Sequence, residues 1–188
     1  MDSTTRYAAN ATDPPESDTA SMSDLLRNFT VPEKIDECYC SKCKDHTASL
    51  RTHRIRKLPN ILIASFKRME SNGRSARKKD MHVDFPLDGL DLSSISLPYK
   101  PEEAGSMAGG PVSPLYDLFG VVHHYGRMGC GHYTSCCRSW TGGEPGAQGE
   151  MDEEWWSFDD GAVEKVKDAD EIVNKHAYML FYRRKVFT

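Results

Sequence analysis

The sequence contains no run of 18 apolar residues, so no membrane-spanning helix and no membrane partner are expected. Its first residues lack the apolar core of a signal peptide; they are rich in Ser, Thr, Asp, Ala and Pro. Residues 1–21 are therefore read as a disordered tail, and the sequons at Asn10 and Asn28 are expected to stay unglycosylated. There is no basic stripe, and the net charge is −4. Nucleic acid is thus not an expected partner. No internal repeat is present. Six cysteines without an export signal predict reduced thiols and a location in the cytoplasm and/or nucleus. The 188 residues suffice for one domain with a real core but are short for two.

What remains is mostly strand-like. Ser23 to Phe29 reads as a short capped helix with Leu25, Leu26 and Phe29 on its apolar face. Ala48 to Leu58 alternates toward strand. The run Ile61-Leu62-Ile63-Ala64-Ser65-Phe66 has the continuous apolar character of a strand buried on both faces. Further strands are expected at Met81–Phe85, Tyr116–His123, His132–Trp140, Trp155–Phe158, Gly161–Val166 and Ala177–Tyr182, the last a central one. Asp168 to Lys175 reads as a helix with acids in its first turn. Segments 70–80, 98–115 and 141–154 are polar or Gly- and Pro-rich and read as mobile loops, and Gly126 to Gly131 as a Gly-rich turn.

Chemistry concentrates in Gly131-His132-Tyr133-Thr134 and the later Trp155-Trp156-Ser157-Phe158-Asp159-Asp160. The first places a histidine at the start of a strand, the second a carboxylate at the end of the next. In an antiparallel pair those two ends are neighbours. Imidazole and carboxylate then meet, as in the histidine and orienting acid of a nucleophile–His–Asp triad. Trp155, Phe158, Tyr178 and Phe181 read as core aromatics behind this pair. A second cluster, Cys40-x-x-Cys43, is half of a tetrahedral zinc site, to which Cys38 and His46 could add ligands.

The ordered series of segments resembles the ubiquitin-specific proteases, papain-like cysteine deubiquitinases. It comprises Cys40-x-x-Cys43, Ile55-x-x-Leu58-Pro59-x-x-Leu62 with Phe66-Lys67-Arg68, and Tyr116-x-Leu118. It continues with His124-x-Gly126, Gly131-His132-Tyr133, Trp155-x-x-Phe158-Asp159-Asp160 and Ala177-Tyr178-x-Leu180-Phe181-Tyr182. The resemblance covers roughly Met22 to Arg184, with Leu25–Phe29 and His124–Tyr133 most similar to the subfamily that carries DUSP and ubiquitin-like domains. It implies an α+β, papain-like cysteine peptidase fold. Residues 22–185 would be the C-terminal half of the catalytic domain: mainly the antiparallel palm sheet, with part of the fingers and without the N-terminal helical subdomain.

By that resemblance His132 is the general base, Asp159 its orienting acid, and Asp160 a second acid that assists the oxyanion site. His124, Gly131 and Tyr133 border the channel for the ubiquitin tail. No cofactor is required; Cys40 and Cys43 form an incomplete structural zinc site whose other pair the family draws from earlier chain. The implied reaction is hydrolysis of the peptide or isopeptide bond after ubiquitin's C-terminal glycine. The family's Cys box, Gly-x-x-Asn-x-Gly-Asn-Thr-Cys, has no match in the 188 residues. Cys130, two residues from His132, would lie about 6–7 Å away along a strand, beyond the roughly 3 Å a thiol–imidazole pair needs. Cys136 is farther and Cys137 faces the other way. The expected partners are ubiquitin or ubiquitinated proteins and a chain supplying the N-terminal half. The alternative is an inactive ubiquitin-binding or assembly fragment.

Overall fold

A computed structural model describes residues 19–71, 76–98, 113–127, 129–141 and 150–185. In chain order it contains β1 (Thr19–Ser21), α1 (Met22–Phe29), β2 (Glu33–Cys40), β3 (Asp45–Arg51), β4 (Ile61–Ser65), β5 (Met69–Ser71) and β6 (Ala76–Lys78). Then follow β7 (His82–Asp84), β8 (Leu90–Asp91), β9 (Leu115–Arg127), β10 (Cys130–Thr141), β11 (Glu150–Asp159), β12 (Ala162–Lys165), a 3-10 turn (Ala169–Glu171) and β13 (Ala177–Arg184). The main sheet has seven strands in the order β12-β11-β10-β9-β13-β4, with β8 pairing the start of β9. Every pairing within it is antiparallel.

Alternation along these strands sorts side chains to two faces. Leu118, Val121, Cys136, Trp155, Leu180 and Tyr182 lie on one face. They pack there with Phe85, Leu92, Ile95 and Ile172 from the flanking segments. Each fully buried Leu or Val contributes on the order of 1.5–3 kcal/mol. The two buried tyrosines satisfy their hydroxyls by donating to carbonyls, Tyr116 to Pro59 at 2.7 Å and Tyr182 to Pro86 at 2.8 Å. Buried Arg68 donates to the carbonyls of Ala177, Lys79 and Met81, tying the start of β13 to the segment between β6 and β7.

Several expectations need correction. Thr19–Ser21, the last three residues of the expected tail, form β1 and pair in parallel with β7; residues 1–18 lie outside the described residues. The Ile61–Phe66 run is not buried on both faces. Strand β4 is the edge of the sheet, and Ile61 and Ile63 are 43% and 54% exposed. The helix expected at Asp168–Lys175 is a single 3-10 turn. Asn174 stops it: its side-chain amide donates to the carbonyls of Asp170 and Glu171, and its oxygen accepts from the His176 N–H. The strand at Ala48–Leu58 starts earlier, as β3, and ends at Arg51.

Segment 70–80 carries the β5–β6 hairpin rather than only a loop. Residues 150–154 of the expected 141–154 loop belong to β11, and the Gly126–Gly131 turn is largely consumed by β9 and β10. Of the three expected loops, residues 72–75, 99–112 and 142–149 lie outside the described residues.

Candidate active site

Antiparallel pairing of β10 with β11 aligns Ser135 with Phe158 and carries His132, near the start of β10, toward Asp159, the last residue of β11. His132 Nε2 lies 2.5 Å from Asp159 Oδ1. A carboxylate can only accept, so Nε2 carries the proton and Nδ1 is left with its lone pair. The bond to Asp159, then that residue's charge and more weakly that of Asp160, hold the His132 pKa above the ordinary imidazole value. Asp160 follows in the tight turn into β12 with a left-handed backbone, φ 47°. Donor atoms of His132, Asp159 and Asp160 all lie within 4.8 Å of one another, and all three residues are exposed.

Beside this pair runs a cleft of about 400 Å³ lined by Met69, His124, Arg127, Gly129, Cys130, Gly131, Tyr133 and Tyr178. All three expected tail-channel residues, His124, Gly131 and Tyr133, are thus in its wall. His124 is only 3% exposed. Its ring centroid is 4.7 Å from that of Tyr133 and 6.1 Å from that of Tyr178. Burial, and then the Lys78 ammonium, push its pKa below the ordinary value. Gly131 is required here: a Cβ on it would sit 2.2 Å from His124 Nε2 and 2.5 Å from the Tyr125 carbonyl oxygen.

Sequence reasoning assigned Tyr178 to the core, whereas it forms a wall of this cleft. Phe158 is 39% exposed and Phe181 half-buried, so of the four aromatics only Trp155 is fully in the core. Lys78 was missed altogether. Its buried ammonium donates to the His124 carbonyl at 2.5 Å and pairs with Asp80 at 3.5 Å, bracing β9 beside the cleft. Only a pairing between distant segments reveals it, since a lysine in a basic run looks solvated.

The described cysteines are all free. Burial pushes the Cys136 thiol up to about 11 and also raises Cys137, which makes both poor thiolates. Cys40 and Cys43 sit where β2 turns into β3. Backbone N–H groups of Cys43 and Lys42, with the Cys43 side chain, hold the Cys40 thiol below its ordinary value. An N–H-lined thiolate suits a metal ligand. Among the described residues, however, no third cysteine, histidine or acid gathers with these two; the one such group is His132, Asp159 and Asp160. The residues present therefore fit half of a zinc site.

The family pattern described as ubiquitin carboxyl-terminal hydrolase matches residues 8–182. Human ubiquitin carboxyl-terminal hydrolase 15 is 33% identical over 175 residues, covering 92% of this chain and 16% of its own length. Human ubiquitin carboxyl-terminal hydrolase 19 is 36% identical over 169 residues, covering 87% of this chain and 12% of its own. The chain therefore spans well under a fifth of these relatives. Among solved structures, Ubp8 in the SAGA DUB module with Sgf11, Sus1 and Sgf73, bound to monoubiquitin, aligns with a TM-score of 0.60 and 25% identity. That alignment covers 90% of this chain and 35% of Ubp8. The same module bound to ubiquitin aldehyde aligns with a TM-score of 0.62 at 24% identity. The fold is papain-like and built mainly from its antiparallel sheet, and the chain belongs to the ubiquitin carboxyl-terminal hydrolase family, the ubiquitin-specific proteases.

Proposed function

We propose that this chain supplies the base and the orienting acid of a cysteine-type deubiquitinase whose nucleophile comes from outside the 188 residues. The observation that carries the reading is the 2.5 Å contact between His132 Nε2 and Asp159 Oδ1, with the strand neighbours of His132, Gly131 and Tyr133, lining a cleft. Asp159 fixes the ring with Nδ1 free, so a thiol approaching Nδ1 loses its proton to it and becomes the attacking thiolate. The imidazolium so formed is stabilised by Asp159 and returns the proton to the leaving amine. Asp160 adds negative charge beside the ring, and its proposed role is that of a second acid assisting the oxyanion site. The cleft past His124, Gly131 and Tyr133 has two glycines, Gly129 and Gly131, in its wall, which suits an extended Gly-Gly tail whose last bond is cut.

Ubiquitin, or a protein carrying it, is the proposed substrate, and a segment bearing the family's Cys box the proposed complement. A second feature supports such a complement. Ile63, Phe181, Gly120, Cys137 and Trp156 follow one another across four ladders on the sheet face opposite the core, with Phe158 and Val163 alongside. Trp156 and Phe158 are each 39% exposed and Val163 54%, an apolar surface of the kind another packed element covers. Cys40 and Cys43 are proposed as two of four zinc ligands, the metal stiffening the hairpin tip. Free thiols throughout the described residues suit a reducing compartment, cytoplasm or nucleus.

The test joins this chain to a Cys-box segment and measures cleavage of a ubiquitin C-terminal amide. His132→Ala should lower turnover at least about 10³-fold. Asp159→Ala should cost less, and Asp159→Ala/Asp160→Ala more than either alone. The chain by itself should stay unlabelled by a ubiquitin probe with a C-terminal electrophile. Near-full activity of His132→Ala, or labelling of the lone chain that is lost in Cys130→Ser, would overturn the assignment.

A further inference from the structure

We propose that Lys78 is a positioning residue for substrate binding: its buried ammonium holds the His124 carbonyl and so fixes the cleft wall along which the substrate's tail lies. The ladder between β9 and β13 ends with His123 beside Ala177. Beyond that point residues 124–127 continue the ladder with β10, His124 beside Tyr133 and Arg127 beside Cys130. This projecting tip supplies six of the eight residues that line the cleft. In an antiparallel ladder the N–H and the carbonyl of one residue point to the same side. The His124 N–H donates to the His176 carbonyl at 2.9 Å. The His124 carbonyl therefore also faces the β13 side, at a level where β13, starting at Ala177, has not begun.

Lys78 takes the place of the missing strand. Its Nζ donates to the His124 carbonyl at 2.5 Å from a side chain that is 4% exposed, and Asp80, 3.5 Å away, balances its charge. Lys78 is itself anchored twice. On β6 it pairs with Met69, another lining residue. Arg68 donates to the carbonyls of both Lys79 and Ala177, which fixes the end of β6 against the start of β13, next to Tyr178. The His124 ring has no comparable hold. Its Nδ1 is buried without a hydrogen-bond partner among the described residues, and the ring leans on those of Tyr133 and Tyr178. The grip on the main chain therefore sets where this ring stands in the cleft, and a bond from a charged donor is among the stronger ones. His132 has its own tie, to Asp159 on β11, so loosening the wall weakens binding and spares the base. The inference rests on the reading of this cleft as the substrate's channel.

The experiment compares the unaltered protein with Lys78→Met, which keeps an apolar stem and removes the donors. In the joined enzyme, KM for the ubiquitin amide should rise about tenfold. Turnover should stay within about twofold, the mark of lost binding that substrate and transition state share. In the 188-residue chain, nuclear Overhauser contacts between the His124 and Tyr178 rings, whose centroids are 6.1 Å apart, should be largely lost. Those between His124 and Tyr133, 4.7 Å apart on the tip itself, should persist. Lys78→Gln, a neutral donor on a shorter stem, should fall between the two proteins in both readouts, and it becomes the test where Lys78→Met does not fold. An unchanged KM, a loss carried by kcat, or a His124–Tyr178 contact that survives would overturn the proposal. So would a failure of both variants to fold, which would make Lys78 a residue of the core. The ring contacts need no turnover. An inactive joined enzyme would refute the catalytic reading, and the hold of Lys78 on the wall would still be decided by those contacts.

Discussion

The His132–Asp159 pair and the Cys40–Cys43 pair are each proposed as part of a larger set, of catalysts in one case and of metal ligands in the other, but they stand on different supports. The first projects from adjoining strands of a seven-stranded sheet, flanked on one side by β9 and on the other by β12. The second sits at the end of a two-stranded hairpin, β2–β3, with no buried residue in either strand. Two strands without a packed face are marginal in water. A catalytic pair has to be in position before its partner arrives, and a continuous ladder with a core beneath it achieves that without a ligand. The hairpin has little to hold it except a ladder and exposed ion pairs such as Arg51 with Glu33, worth at most about 1 kcal/mol each.

The largest test of this contrast is energetic. Leu180 is fully buried between β9 and β4, so Leu180→Ala should cost about 2–5 kcal/mol in urea unfolding. Leu50 on β3 is 62% exposed, and Leu50→Ala should change stability by no more than about 0.5 kcal/mol. Equal losses would mean that the hairpin belongs to the cooperative core after all.

A smaller effect is expected from pH. Burial lowers the pKa of His123, His124 and His176 below that of an unfolded histidine. The unfolded chain therefore binds more protons as pH falls below about 6.5, and stability declines through that window toward the folded-state values. His132 runs the other way: its raised pKa gives a contribution present in acid and lost as pH climbs through the raised value. Its ring is half exposed, so the two buried rings, His123 and His124, with half-buried His176, should dominate. The urea midpoint should be lower near pH 5.5 than near pH 7.5, and a midpoint that rises on acidification would contradict the burial argument. Smallest of all, with the zinc proposed at Cys40 and Cys43, a chelator should speed amide exchange within 33–51 while leaving β9, β10 and β13 unchanged. Faster exchange in β9 would show that the two regions are coupled.

The His132–Asp159 contact was legible because it follows from strand polarity alone. Once Gly131-His132-Tyr133 starts one strand and Phe158-Asp159 ends the next, antiparallel pairing brings the two side chains together. The roles of Ile61 and Ile63 were not legible. Their run is as apolar as a buried strand, but local sequence reports how hydrophobic a segment is and not which neighbour covers it. The 3-10 turn at Ala169–Glu171 was missed for a local reason of a different kind. The acids of its first turn favour a helix, and a single side chain three residues on, Asn174, captures the carbonyls that a second turn would have used. Strand β1 and Lys78 depend on partners far along the chain, the β7 ladder and the His124 carbonyl, so no window of neighbouring residues contains them.

The place of β13 in the sheet bears on how this protein is made. Strands β4 and β9 do not pair with each other; each pairs with β13, which runs between them. Synthesis proceeds from the N-terminus, so β4 leaves the ribosome with its apolar edge unmatched and stays so until nearly all the described chain has been added. The β9–β10–β11 meander can zip up meanwhile from its own hairpins, whereas β4 has only a distant strand to wait for. During that interval an Ile-Leu-Ile segment is open to chaperones and to the same strand on another nascent chain. A chain released before Ala177 would keep the strands that bring His132 and Asp159 together while two of the seven strands of the sheet, β4 and the missing β13, have yet to join it.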